Sequence, residues 1–152
     1  AARALDIDSA GNYTAYPLFF DQKTRDVFDF SRYSYVADCI DDVEAKALLL
    51  TCVREKNTPV ISCMGAGNKL DGSAFRVADL EKTRECPLAR IMRRKMKEAG
   101  VTGVRAVYSE EKPLSPDRAL AAEGERLIGS LSFVPSAAGL LLAGEIVKSL
   151  IQ

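Results

Sequence analysis

The chain has 152 residues, with 21 basic and 21 acidic side chains and neither histidine nor tryptophan. That length suits one domain able to bury its own core, and 47% hydrophobic against 28% charged residues excludes a disordered chain or a disulfide-dense scaffold. Without histidine there is no His–Cys or His–Ser catalytic pair and no His-ligated zinc, so acid–base chemistry falls to Asp, Glu, Lys, Arg, Tyr or Cys.

In chain order, the opening AARALD has no Met and no signal-like apolar run, which reads as a fragment. Thr14–Phe20 (TAYPLFF) reads as a strand that Pro17 confines to an edge or bulge. A short helix or turn follows over Asp21–Phe30. Ser34–Ile40 (SYVADCI) suits a buried parallel strand. Asp42–Lys56 has helical spacing at Ala45, Leu48, Leu49, Cys52 and Val53, and Asn57-Thr58-Pro59 stops it. Pro59–Met64 (PVISCM) is the next buried strand, so this strand–helix–strand unit predicts a right-handed crossover. A glycine-bearing loop (Gly65–Gly72), a strand (Ala74–Asp79), a basic helix (Pro87–Ala99, stopped by Gly100) and a strand (Gly103–Tyr108) come next. A polar, mobile connection over Lys112–Gly129 leads to an apolar helix at Pro135–Ile151. Alternating strands and helices predict an α/β layered fold.

The zero net charge hides an asymmetry. Residues 1–50 carry nine acids and five bases, whereas 51–100 carry eleven bases and six acids. The acidic side concentrates in Asp38-Cys39-Ile40-Asp41-Asp42, where a buried strand hands over to a helix. Open parallel sheets bind ligands at that carboxyl edge. Three carboxylates there need a cation or a helix N-terminus to offset their repulsion. The plainer alternative is Asp42 as a helix cap with Asp38 and Asp41 as solvated loop acids. Gly65-Ala66-Gly67 is not a GxGxxG loop, because a strand rather than a helix follows it. It marks a sharp turn or a close backbone approach. In the basic helix, Arg90, Arg93, Arg94 and Lys97 share a face, with Leu88, Ile91, Met92 and Met96 opposite. That face is either simply solvated or a phosphate-contacting patch for RNA.

None of Cys39, Cys52, Cys63 and Cys86 forms a CxxC pair, so a zinc ribbon is not expected. Unpaired cysteines point to a reducing, cytoplasmic setting. Residues 127–144 carry no charge, but three Ser, three Gly and Pro135 favour a buried helix lying on the sheet over a membrane span.

Taken together, Asp38–Asp41 (D-x-I-D), Lys46, the Gly65–Gly67 GAG loop, Val77–Thr83 (V-x-DL-x-KT), the Pro87–Lys97 helix and Gly129–Val134 (GS-x-x-FV) resemble the ThiF/MoeB/HesA superfamily, bacterial relatives of ubiquitin-activating enzymes. The similarity runs over about residues 12–151 and looks closest to the tRNA threonylcarbamoyladenosine dehydratase branch. It implies a three-layer Rossmann-like sheet with flanking helices, and ATP and Mg2+ as cofactors. The implied reaction transfers AMP to a carboxylate on tRNA, followed by ring closure that expels AMP. By position, Asp41 matches the family's metal- and adenylate-binding aspartate, which makes it the catalytic residue. Lys46 and Asp38 join Asp41 as cofactor-binding residues, and Arg90, Arg93, Arg94 and Lys97 are the nucleic-acid contacts. Asp42 departs from the usual Asn or Ser.

Arg105-Ala106 stand near the place where relatives tend to show a cysteine. No thioester-forming residue is therefore assigned, which fits internal cyclisation better than activation of a sulfur-carrier or ubiquitin-like C-terminus. That activation, and a non-catalytic interaction domain, are the alternatives. The glycine-rich nucleotide loop and further catalytic residues of the family precede the position of Ala1. The expectation is a C-terminal portion of the adenylating domain, inactive alone and pairing as a homodimer through its uncovered surface. A sulfur-transfer partner protein is a further expectation, and a membrane span is not.

Overall fold

The computed structural model describes residues 1–115 and 127–152. The expected 112–129 connection therefore falls partly outside the described residues. Helix α1 (Ala2–Ile7) buries no side chain, and a mostly irregular segment leads from it to strand β1 (Val36–Asp38). Helix α2 (Val43–Glu55), β2 (Val60–Cys63), β3 (Phe75–Asp79), helix α3 (Pro87–Glu98), β4 (Arg105–Ser109) and helix α4 (Phe133–Leu150) follow.

The strands form one sheet in the order β1-β2-β4-β3. β1, β2 and β4 are parallel, and β3 runs antiparallel to β4. The apolar runs are the reason: Val60 and Ile61 on β2, and Ala106, Val107 and Tyr108 on β4, are buried in the middle of the sheet. α2 and α3 cover one face through Leu49, Leu50, Val53, Ala89, Met92 and Met96. α4 covers the other, where Val134, Ala138 and Leu142 meet Ile61, Phe75 and Val107. This is the three-layer Rossmann-like arrangement expected.

The helix ends obey local chemistry. Asp42 accepts the Ala45 N–H at 2.8 Å and so caps α2. Asn57, at φ 56°, ends that helix in the left-handed region. Pro87 opens α3, and Gly100 follows its end at φ 68°.

Two expectations fail. Thr14–Phe20 forms no strand. Pro17 lacks a donor, no strand among the described residues pairs with the segment, and an isolated strand leaves its backbone groups unsatisfied. Its aromatic side chains pack instead, Tyr16 and Phe20 lying 5.0 and 5.9 Å from Phe28 between ring centres. The second is the burial of α4, which lies on the sheet as expected but is not buried as a whole. Only one side is buried, and Phe133, Leu140, Val147 and Leu150 are exposed. Its 18 residues, at a mean hydropathy of 1.4, are long and apolar enough to cross a membrane.

Candidate functional site

The parallel strands β1 and β2 end side by side, with Asp38 in register with Ser62. Their side chains therefore share the face that α2 covers. Lys46, in the first turns of α2, enters between them and is fully enclosed. Its ammonium donates to Asp38 Oδ2 at 2.6 Å, to the Cys63 carbonyl at 2.9 Å and to Ser62 Oγ at 3.2 Å. Ser62 Oγ donates to the same Asp38 oxygen at 2.5 Å, and the Ile40 N–H donates to Asp38 Oδ1 at 3.0 Å. Each donor of the lysine and each oxygen of the aspartate has a partner. That is the condition under which a buried ion pair can repay its desolvation.

The three carboxylates of the DCIDD segment thus have three different fates. Asp38 is 1% exposed and held by Lys46. Asp42 caps α2. Asp41 is exposed and makes no hydrogen bond or ion pair among the described residues. Of the residues expected to hold a cofactor, only Asp41 presents its charge to solvent. Asp38 and Lys46 lie beneath the turn and position it.

The Gly65–Gly67 loop leaves β2 next to this turn, and a 3-10 turn and β3 follow it. Both readings of the glycines hold in part. A Cβ on Gly67 would collide with the Ile128 side chain, which is the close approach, and Asn68 at φ 56° makes the turn. Asn68 also clasps the segment before α4. Its Nδ2 donates to the Leu127 carbonyl at 3.1 Å and its Oδ1 accepts the Gly129 N–H at 2.8 Å.

Sequence reasoning missed Asn68, Ser62 and Lys69. Lys69 is 2% exposed and donates to the Glu111 carbonyl, and burial lowers its pKa. The Glu111 carboxylate in turn accepts the Leu70 and Asp71 N–H groups at 2.9 and 3.0 Å. The one available signal was the spacing of Lys69 behind the glycine loop. Cys39 at the turn is exposed, whereas Cys52 and Cys86 are buried. Burial pushes the Cys63 thiol up to about 11.

On α3 the four expected nucleic-acid contacts separate. Arg90, Arg94 and Lys97 are exposed on one face. Arg93 turns inward and donates to the Thr83 carbonyl at 2.8 Å and to Thr83 Oγ1, fastening the turn before α3. Lys95 bridges to Glu44 at 2.7 Å and ties α3 to α2. Arg105, on β4, pairs with Glu145 at 3.2 Å and with Asp79 at 3.7 Å.

This fold is similar to solved structures of the Escherichia coli tRNA threonylcarbamoyladenosine dehydratase TcdA. Against its complex with AMP the TM-score is 0.85 at 26% identity, covering 99% of this chain and 61% of that one. Against its complex with ATP the TM-score is 0.80 at 27% identity, covering 99% and 63%. The tRNA threonylcarbamoyladenosine dehydratase of Bacillus subtilis is 32% identical over an alignment of 162 positions that covers 99% of this chain and 64% of that protein. The tRNA threonylcarbamoyladenosine dehydratase 2 of Saccharomyces cerevisiae is 44% identical over 80 residues, 52% of this chain and 18% of that protein. The chain thus spans less than two thirds of the length of these relatives. The ThiF family model matches residues 1–152, and over that whole length the chain belongs to the ThiF family.

Proposed function

We propose that the chain is part of an ATP-dependent tRNA threonylcarbamoyladenosine dehydratase and that Asp41 is its contact with the nucleotide and its metal. The observation that carries this reading is the separation of the carboxylates. One acid is buried on a lysine, one caps a helix, and one projects uncommitted from the carboxyl edge of a parallel sheet. The two E. coli neighbours with AMP and with ATP bound support the same nucleotide chemistry.

A single free carboxylate fits magnesium, which is bound through one or two carboxylates together with substrate phosphates. When bound, Mg2+ would neutralise charge developing on the phosphates. The residues of the chain do the rest. Asp41 offers the oxygen ligand. Asp38 and Lys46 hold the turn so that Asp41 is presented without reorganisation, the condition for strong electrostatic catalysis. In the reaction proposed, a carboxylate oxygen on the tRNA forms a bond to the α-phosphorus of ATP as pyrophosphate leaves. A nucleophile within the same substrate then attacks the activated carbonyl, and AMP departs as the ring closes.

The exposed Arg90, Arg94 and Lys97 are the tRNA-phosphate contacts in this reading, and Arg93 is a positioning residue. A salt-bridged Arg105, in place of a cysteine, supports internal cyclisation over transfer to a sulfur carrier. The exposed apolar side of α4 is the surface for the expected homodimer. Four free cysteines agree with a reducing cytoplasm.

The test uses the full protein that contains this chain, incubated with ATP and threonylcarbamoyladenosine-bearing tRNA. Nucleoside mass spectrometry is expected to find loss of one water from the modified adenosine, and Asp41→Asn abolishes it. An Asp41→Asn protein of unaltered activity overturns the assignment. The 152 residues alone, lacking a glycine-rich loop that leads into a helix, are expected to show no ATP–pyrophosphate exchange.

A further inference from the structure

The β1–β2 ladder runs Val36↔Val60, Ala37↔Ile61, Asp38↔Ser62. One more step along the same register would set Cys39, the first residue past β1, opposite Cys63 at the end of β2. Side chains alternate across a strand, so on that register the two would share the face opposite Asp38 and Ser62. Ile61 and Cys63 indeed pack with Val107 and Val134 on the α4 side. Neighbouring strands lie about 5 Å apart, inside the Cα separation of roughly 4.4–6.8 Å that a disulfide spans. Cys39 lies just past the last ladder pair, so its backbone can close the remaining gap. Neither thiol is used by the reading given above.

We propose that Cys39 and Cys63 are a modification site, a paired dithiol that a peroxide oxidises to a disulfide bolting the Asp41 turn to the start of the Gly65–Gly67 loop. Cys39 is exposed and meets the oxidant, while Cys63 is half-buried and resolves it. The Cys39 sulfur attacks one peroxide oxygen, the O–O bond breaks, and one water leaves with a sulfenic acid formed on Cys39. The Cys63 sulfur then attacks the Cys39 sulfur, the S–O bond breaks and a second water leaves. Two thiols lose two electrons and two protons, and one peroxide is reduced to two waters.

Burial holds both thiols above their ordinary range, with Asp38 adding to the effect at Cys39.

Trypsin separates the four cysteines onto peptides 33–46, 47–54, 57–69 and 85–90. The native full chain is treated with stoichiometric hydrogen peroxide, alkylated under denaturing conditions, digested and mapped by mass spectrometry. The expected product is peptide 33–46 joined to 57–69, two hydrogens lighter than the sum of the free peptides and released by dithiothreitol. It persists in Cys52→Ser and is lost in Cys39→Ser. An oxidised Cys39, as sulfinic acid or joined to another cysteine, with Cys63 still alkylatable in the wild-type chain overturns the proposal. The readout is a mass, so it stands or falls apart from the ATP reading.

Discussion

Replacing Lys46 by Met keeps the volume and flexibility of the side chain and deletes its charge. Three hydrogen bonds go with it, to Asp38 at 2.6 Å, to the Cys63 carbonyl at 2.9 Å and to Ser62 at 3.2 Å. Breaking a buried pair by removing one partner costs about 3–5 kcal/mol. Asp38 retains the Ser62 hydroxyl and the Ile40 N–H, so the loss belongs at the low end, about 3 kcal/mol. Urea unfolding followed by circular dichroism, with a slope of roughly 2 kcal/mol per molar, then shows a midpoint lowered by about 1.5 M. Adding Asp38→Asn removes the stranded charge and recovers about 1–2 kcal/mol. A Lys46→Met chain within about 0.5 kcal/mol of wild type, the scale of an ordinary surface change, refutes the reasoning. So does a double variant less stable than the single one.

Asp42→Ala removes the cap on α2 and is expected to cost about 1 kcal/mol, or about 3 °C in Tm, with Asp42→Asn near neutral; equal losses in both count against capping. Arg93→Ala should lower stability by about 1–2 kcal/mol through loss of its Thr83 bonds, whereas Arg94→Ala should change it by less than about 0.5 kcal/mol. Arg90→Glu with Arg94→Glu should weaken tRNA binding in a gel-shift titration, and unchanged, salt-insensitive binding discards the patch. Alkylation of Cys63 in the native chain should rise about tenfold per pH unit and level off only near 11, because its thiol ionises there; a plateau near 9, the ordinary thiol value, refutes the burial argument.

The layered α/β class was legible because each sheet strand and each long helix carries its own local mark. Asp42 and Asn57 bracket α2, Pro87 and Gly100 bracket α3, and PVISCM has nothing polar enough to lie outside. TAYPLFF misled because a strand needs a neighbour, and strand propensity in one segment says nothing about whether a partner exists. Asp41 could be singled out by its motif. That Asp38 and Lys46 would be consumed by each other could not, since Ser62, the third member of the lock, meets them only through the β1–β2 register. Arg93 illustrates the same limit. Helical spacing groups it with Arg90 and Arg94, yet it sits at the margin of the face, where the position of Thr83 on the preceding turn decides its direction.

The lock beneath Asp41 is also local along the chain. Its side-chain bonds join residues 8, 16 and 24 positions apart, all within the β1–α2–β2 unit. Contacts of short sequence separation form early and at little loop-closure cost. The turn that presents Asp41 can therefore be in place before α4, which begins at Phe133, reaches the opposite face of the sheet. In hydrogen exchange, the α2 amides should stay protected in variants that loosen α4, and the acidic turn would then behave as a kinetic nucleus of the fold as well as its business end.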